Sequence, residues 1–281
     1  MRCVEHAPAR LAGRPEPLER STQEDTRVDA TTIAADVKAV IKDAAANAPR
    51  SRQVAIGPSE VGQDCTARLA RKVLDWPTVN PGGDPLPSWV GTGAHAQNAE
   101  AFELANEREP GRWLVEQRVQ VAPGLAGSCD LYDTHTGTVI DHKFVGTGSM
   151  RKYKSAGPSA VYRTQVHLYA LGMENAGLTP KNVAIAFFPR GGLLSGLHVW
   201  TEPYNRQLAL DAVARLETIK LAVITLDPEA TPANWAHLPI TPGHGCEYCP
   251  WYLPGSTDLA RGCPSDPSVV QPRTRLEDLI A

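Results

Sequence analysis

Residues 125–144 read LAGSCDLYDTHTGTVIDHKF, and this stretch decides the fold. Apolar and polar residues alternate on both sides of the turn-forming run at 134–137, which is the pattern of half-buried strands. The sequence therefore predicts two strands, at 125–133 and 138–144, that follow each other through a tight turn.

Two acidic residues and a lysine lie on this predicted strand pair. Asp141 and Lys143 are two residues apart, so their side chains leave the same face of the strand. In an antiparallel pair, Asp130 of the preceding strand converges on them. Two carboxylates suit a hard cation such as Mg²⁺ or Mn²⁺, which polarises a phosphodiester, and a lysine can steady the attacking water. The alternative is an ordinary surface ion pair; the small residues Gly127-Ser128 ahead of Asp130 favour a metal site.

The rest of the chain supplies helices and strands around this pair. Helical spacing of apolar residues predicts helices at 29–48, 58–75, 88–108, 158–176 and 203–224. Alternation predicts further strands at 112–121, 182–189 and 193–201. This order indicates an α/β fold with a mixed central sheet flanked by helices. The predicted organisation is a mobile tail at 1–28, a helical extension at 29–55, a core at 56–240, a cysteine-bearing segment at 241–264 and a tail at 265–281.

Composition and charge narrow the classes of function. Hydrophobic residues make up 42% of the 281 residues, enough to bury a core. A net charge of −3 argues against a protein wrapped in nucleic acid, so any DNA contact must be local. No apolar stretch approaches the roughly 18 residues of a membrane span, and the N-terminus lacks the apolar region of a signal peptide. We therefore expect a cytoplasmic protein without a membrane partner.

The predicted helix at 88–108 carries a candidate metal ligand. His95 shares a helical stripe with Ala99 and Phe102. On that stripe it is either a histidine packed in the core or a nitrogen ligand brought over the sheet. The small residues 91–94 ahead of it permit close approach of helix and sheet, which favours the ligand.

The predicted helix at 158–176 carries a polar pair, and a basic run precedes it. Gln165 and Tyr169 are four residues apart and share a face, from which they can bind a phosphate or stack on a base. Arg151, Lys152 and Lys154 follow the Asp-x-Lys strand and can track a DNA backbone. Their alternatives are the polar rim of an amphipathic helix and a solvated charge run.

Four cysteines form a candidate site for a soft metal: Cys65, Cys246, Cys249 and Cys263. The C-x₂-C pair and the later cysteine supply three ligands, and such a site requires four. Cys65 is the best fourth ligand, because Cys3 lies in the predicted tail and Cys129 should face the core. Zinc and a [4Fe–4S] cluster both accept four thiolates, so the spacing leaves both open, together with unliganded cysteines.

Taken in order, these motifs resemble the PD-(D/E)xK superfamily of nucleases. The resemblance is to the RecB-like branch, especially the iron–sulfur exonucleases associated with CRISPR loci and their phage relatives. It covers roughly residues 56–264 and is carried by Ser59 through Cys65, Arg68, Gly91-Thr-Gly-Ala-His95, Gly127-x-x-Asp130, Asp141-His-Lys143, Gln165-x-x-x-Tyr169, Cys246, Cys249 and Cys263. The thirteen-residue gap before Cys263 is longer than the family's usual spacing.

The resemblance implies a restriction-endonuclease-like core and a role for each matching residue. The implied ligands of Mg²⁺ or Mn²⁺ are His95, Asp130, Asp141 and the backbone carbonyl of His142. Lys143 becomes the catalytic lysine, Gln165 and Tyr169 position the substrate, and Arg68 joins the basic run as a DNA contact. The four cysteines would hold a structural [4Fe–4S] cluster that joins N- and C-terminal segments, with Zn²⁺ as the alternative.

The function implied by the resemblance is a metal-dependent DNA exonuclease of phage or bacterial recombination and repair. Its substrate would be DNA that is single-stranded or has free ends. The alternative is a DNA-end-binding or processing subunit of a larger assembly, such as CRISPR spacer acquisition, with little nuclease activity of its own. Either function allows for a recombination or CRISPR partner protein.

Overall fold

A computed structural model describes residues 29–48, 55–80, 82–243 and 245–269. It contains one five-stranded sheet in the order β1-β2-β3-β4-β5. The strands are β1 (Trp113–Ala122), β2 (Leu125–Asp133), β3 (Thr138–Val145), β4 (Asn182–Pro189) and β5 (His198–Pro203). β3 and β4 are parallel, and the other neighbours are antiparallel. The predicted mixed sheet is therefore confirmed.

Seven α-helices lie in the described part of the chain. They are α1 (Ala30–Asn47), α2 (Pro58–Val61), α3 (Thr66–Val73), α4 (Leu86–Asn106), α5 (Thr147–Ala156), α6 (Ala160–Asn175) and α7 (Arg206–Leu226). α5 and α6 form the crossover between the parallel strands β3 and β4. The chain divides into two compact units, Met1–Val40 and Ile41–Ala281, and the sheet belongs to the second.

Helix α6 is the centre of the second unit, because nearly every side of it is covered. Residues 165–173 are all buried. Leu168 and Leu171 belong to an apolar cluster with α3 and α7, whereas Val166 and Met173 belong to a cluster with the sheet. A helix that is apolar on most of its circumference is typical of a core position. α6 is thereby fixed between the sheet and the other helices.

A glycine sets the distance between α6 and strand β1. A Cβ placed on Gly172 would lie 2.6 Å from Cγ2 and 2.8 Å from Cβ of Val119. We expect Gly172→Ala to lower the free energy of unfolding by about 1 to 2 kcal/mol, because overpacking outweighs the better helix propensity of alanine. Gly93→Ala in α4 is the matched control, since its Cβ meets nothing within 4 Å. Urea titration of both variants tests this, and equal stabilities would contradict it.

Three elements differ from the sequence-based expectation. The predicted helix at 58–75 is interrupted, because Gly62 packs too closely on α6 to carry a side chain and Cys65 is the N-cap of α3. The basic run after β3 lies in a helix, α5, that the sequence did not predict. The last strand begins at His198 rather than at 193, because Leu193 and Leu194 enter a 3₁₀ turn and are exposed.

The predicted tail at 1–28 lies outside the described residues, as do 49–54 of the predicted extension and 270–281 of the C-terminal tail. The helices that the structure does describe include none with the length and apolar character needed to cross a membrane.

Candidate active site

The site lies where strands β2 and β3 stop pairing. Their ladder runs from Asp133–Thr138 to Leu131–Ile140, and the next residue on each strand is acidic. Here the carboxylate of Asp130 replaces the ladder bond, because its Oδ2 accepts a hydrogen bond of 2.6 Å from the backbone N–H of His142. The regular pairing of the two strands therefore ends next to Asp130 and Asp141.

Asp141 is a buried carboxylate that lies against the ammonium group of Lys143. It is 1% exposed, and Nζ of Lys143 lies 2.5 Å from its Oδ2. That oxygen makes no hydrogen bond of normal geometry in the described structure, although it is fully buried. Burial raises the pKa of Asp141 to about 6. The positive charge of Lys143 lowers this pKa, and the negative charge of Asp130 raises it further. A divalent cation would satisfy this oxygen, so the residue fits a role as metal ligand.

Helix α4 brings His95 over the sheet to Asp130. Nδ1 of His95 lies 3.4 Å from Oδ2 of Asp130. Burial opposes the charge on both groups, but their mutual interaction raises the pKa of His95 and lowers that of Asp130. The two side chains form a compact pair of opposite charge at the end of the strands.

The imidazole of His142 completes a group of three candidate ligand atoms. One atom each of His95, Asp130 and His142 lie within 4.8 Å of one another, and no other such group occurs in the described ranges. Burial lowers the pKa of His142 to about 4, so its ring is neutral and able to bind a metal. Sequence reasoning proposed the backbone carbonyl of His142 and did not consider its ring. Asp141 lies outside this tight group.

Aromatic rings hold the two imidazoles in place. The ring of His142 stacks on Phe102 at 5.8 Å and meets Phe188 edge-on at 5.4 Å. The ring of His95 meets Phe144 edge-on at 5.4 Å. Packing of this kind limits the rotation of the rings, so the geometry of the nitrogen atoms is fixed before a metal binds.

Gln165 and Tyr169 face the carboxylates from α6. Nε2 of Gln165 donates a hydrogen bond of 3.2 Å to the hydroxyl of Tyr169, and both side chains are buried. Burial raises the pKa of Tyr169, and the charge of Asp141 raises it further. A Cβ on Gly127 would lie 3.1 Å from Cε1 of Tyr169, so the glycine ahead of Asp130 permits this approach.

Sequence reasoning missed Tyr162, which contacts the lysine of the site. Nζ of Lys143 lies 4.9 Å from the centre of the Tyr162 ring, within the range of a cation–π interaction. Tyr162 also packs against Tyr153, with ring centroids 5.9 Å apart. Its position in the sequence could have revealed this role, because Tyr162 precedes Gln165 by one helical turn and shares its face.

The predicted DNA contacts lie in two different places. Arg151, Lys152 and Lys154 are exposed on α5, which follows β3 and its Asp141 and Lys143 directly. Arg68 instead lines a cavity together with the cysteines. The structure therefore does not bring Arg68 to the basic run.

The four cysteines predicted as ligands line one cavity of about 200 Å³, the same cavity that Arg68 lines: Cys65, Cys246, Cys249 and Cys263. None forms a disulfide. The segment between Cys249 and Cys263 folds back on itself. The backbone N–H of Cys263 donates to the carbonyl of Trp251, and the carbonyl of Cys263 accepts from the N–H of Leu253. Cys129 is fully buried in the core, as expected.

The C-terminal cysteine segment is also tied to the N-terminal part of the core by hydrogen bonds. The side chain of Asn80 donates to the carbonyls of Glu247 and Cys249. The indole N–H of Trp76 donates to Ala260, and that of Trp251 donates to Trp76. The cavity is thus formed between two segments that are far apart in the sequence.

Comparisons with known proteins give a family. The family model of the PD-(D/E)XK nuclease superfamily matches residues 18–252. The structure is similar to the crystal structure of an alkaline exonuclease, LHK-Exo, from Laribacter hongkongensis, at a TM-score of 0.45 and 13% identity, over 68% of this chain and 97% of that one. The structure of LHK-Exo in complex with dAMP gives a TM-score of 0.43 and 16% identity, over 67% and 97% of the two chains. A search of curated proteins finds no match. Because the family model covers most of its length, the chain belongs to the PD-(D/E)XK nuclease superfamily.

Proposed function

We propose that this protein is a metal-dependent exonuclease that hydrolyses DNA from its ends, in phage or bacterial recombination and repair. The observation that carries the proposal is the buried carboxylate of Asp141 and the half-buried carboxylate of Asp130, beside Lys143 at the open end of the β2–β3 ladder. Nucleases of this superfamily use divalent metals, and this arrangement supplies the oxygen ligands that Mg²⁺ and Mn²⁺ prefer.

Each residue of the site has a chemical task in this proposal. When bound, the cation supplies Lewis-acid polarisation of the phosphodiester and activates water. Asp130, Asp141 and His95 would hold it, with His142 contributing its carbonyl or its ring. Lys143 lies against Asp141 and would orient the attacking water or stabilise charge on the phosphate.

The surroundings of the site suit a nucleic-acid strand. Gln165 and Tyr169 present neutral hydrogen-bonding groups next to the carboxylates, which avoids repulsion of phosphate. The exposed lysines and arginine of α5 supply local positive charge on a chain that is acidic overall. Phosphate contacts of this kind position a strand without reading its sequence.

The resemblance favours a [4Fe–4S] cluster over a zinc ion, and the cysteine cavity is compatible with it. Four thiolates around zinc at its usual bond length lie about 3.8 Å apart. In the described structure no three of these cysteine sulfurs lie within 4.8 Å of one another. A wider set of sulfurs around a cavity of about 200 Å³ leaves room for a larger centre. We therefore propose a structural cluster, as in the RecB-like iron–sulfur nucleases.

Digestion of end-labelled DNA tests the proposal. The purified protein, isolated without oxygen, is incubated with single- or double-stranded DNA and Mn²⁺ or Mg²⁺, beside circular DNA without ends. We expect cleavage of linear DNA, no cleavage of the circle, and an absorbance band near 400 nm from the cluster. Binding of DNA ends without degradation would favour the alternative, a subunit of a larger DNA-processing assembly. A colourless protein that contains zinc would favour the zinc site.

The pKa of Asp141 predicts how the Mn²⁺ concentration required for cleavage depends on pH. Since burial raises this pKa to about 6, the carboxyl is protonated below pH 6 and the cation must displace a proton. We expect the Mn²⁺ concentration for half-maximal cleavage to rise at least about tenfold for each pH unit below 6, because the raised pKa of His95 gives the cation a second proton to displace, and to level off where both groups have lost their protons. Metal titrations from pH 5 to 8 measure it, with circular dichroism as a check of folding. A requirement that is independent of pH would contradict the role of Asp141.

The contact between Tyr162 and Lys143 predicts a positioning role for the tyrosine. Tyr162→Leu removes the ring beneath Nζ, so we expect turnover to fall about threefold to thirtyfold with little change in KM for DNA. Tyr162→Phe keeps the ring and should retain most of the activity. Steady-state kinetics of both variants separate the ring from the hydroxyl, and equal losses would point to the hydroxyl of Tyr162 instead of its ring.

A further inference from the structure

The cysteine cavity contains a buried arginine that the proposed chemistry does not use. Arg71 of α3 is 1% exposed and lines the cavity with the four cysteines. Its guanidinium donates to the carbonyls of Ala67 at 3.2 Å and Leu259 at 2.6 Å, and stacks on Trp235 at 4.2 Å. Its Nε makes no hydrogen bond in the described structure. An arginine keeps its charge in such a place, so a full positive charge is buried here.

Among the described residues, this charge has no carboxylate partner. In the described part of the chain Arg71 forms no ion pair, and both of its hydrogen-bond acceptors are neutral carbonyls. A buried charge is costly unless an opposite charge lies next to it. Burial lowers the pKa of Arg71, whereas the sulfurs of Cys263, Cys65 and Cys249 raise it. These sulfurs are therefore the nearby groups that can carry a balancing negative charge.

A metal centre bound by four thiolates would provide the missing negative charge. Four thiolates around a zinc ion or an oxidised [4Fe–4S] core leave roughly two negative charges in excess. A centre held by these cysteines would occupy the cavity that Arg71 also lines. Arg68 also lines the cavity, but it is only partly buried, so solvent screens its charge.

We propose that Arg71 is the counter-charge of the metal centre held by Cys65, Cys246, Cys249 and Cys263. The arginine keeps the centre bound, and the centre in turn makes the buried arginine tolerable. This inference rests on the metal-centre part of the proposed function and is independent of nuclease activity. Because the coupling is reciprocal, removal of either partner should weaken the other.

Metal retention by variants of Arg71 tests the first half of this coupling. Arg71→Met keeps the volume and loses the charge, whereas Arg71→Lys keeps the charge. We expect Arg71→Met to release its iron or zinc to a chelator about tenfold to a hundredfold faster than the wild type, and Arg71→Lys to recover much of the loss. If the centre contains iron, its reduction potential should also fall in Arg71→Met, because a nearby positive charge favours the reduced form.

Arg112 provides a matched control for these variants. It also stacks on a tryptophan, Trp113, at 4.4 Å, but Glu109 and Asp133 balance its charge. Arg112→Met therefore loses a stacked guanidinium far from any cysteine of the cavity and should leave the rate of metal release unchanged. Equal release by Arg71→Met and the wild type would overturn the proposal.

A double-mutant cycle tests the reciprocal half. In a chain with Cys246→Ala and Cys249→Ala the centre is lost, and the charge of Arg71 has nothing to balance it. Arg71→Met should then raise the melting temperature, although it lowers that of the intact protein. Destabilisation by the same amount in both backgrounds would assign Arg71 to packing alone. A wild-type protein that retains no metal would overturn the metal centre together with this inference, while DNA cleavage would report separately on the nuclease site.

Discussion

Asp141→Asn is expected to lower the turnover of DNA cleavage by about 10³-fold or more, while the chain remains folded. The amide keeps the shape of the side chain but removes the charge from an oxygen that lies buried beside Lys143. The site then lacks one of its two carboxylates and holds a divalent cation more weakly. Single-turnover cleavage of end-labelled DNA at saturating Mn²⁺ measures the effect, and calorimetric titration measures the loss of metal affinity.

Asp133→Asn is the matched control for this substitution. Asp133 is a buried carboxylate on the same strand pair, but it bonds to Arg112 and Thr136, away from the open end of the ladder. We expect its loss to lower stability and to leave turnover within about threefold of the wild type. Wild-type turnover in Asp141→Asn would rule out the proposed metal role of that residue.

The faces of the strands were predictable, because side chains alternate along a strand whatever surrounds it. This rule places Asp141 and Lys143 together and turns Cys129 into the core, as observed. It does not show where two strands stop pairing. That point is set by Asp130, whose carboxylate accepts the N–H of His142 in place of a ladder bond. The group formed by the ring of His142 was therefore not predictable from alternation.

Contacts between distant segments could not be predicted from the sequence for a different reason. The Gly-Thr-Gly-Ser run at 146–149 is typical of a loop, yet α5 forms there because Met150 and Tyr153 pack on the sheet. Likewise, the sequence between Cys249 and Cys263 does not reveal the backbone hydrogen bonds that place Cys263 at the cavity. The surroundings of Arg71 are equally hidden, since three of the four cysteines in its cavity lie far along the chain. Local propensity decides such positions less than tertiary packing does.

Lys143→Met is expected to separate catalysis from metal binding. Turnover should fall about 10²-fold to 10⁴-fold, the usual range for loss of a group that transfers or steadies a proton. Metal affinity should not fall with it. Nζ of Lys143 lies 2.5 Å from Oδ2 of Asp141, so the lysine competes with a cation for that oxygen. We therefore expect Mn²⁺ to bind at least as tightly to the variant at pH 8.

The choice of pH follows from the sign of the electrostatic effect. The charge of Lys143 lowers the pKa of Asp141, so its removal moves that pKa further above its value of about 6. At pH 8 the carboxyl of the wild type is ionised, and agreement between titrations at pH 8 and pH 9 would show that a proton on Asp141 does not affect the variant either. Lys220→Met on α7 removes a lysine that pairs with Glu217 and serves as the control, with turnover expected to stay within about threefold of the wild type. Joint loss of turnover and Mn²⁺ affinity in Lys143→Met would mean that the lysine maintains the metal site rather than acting on the substrate.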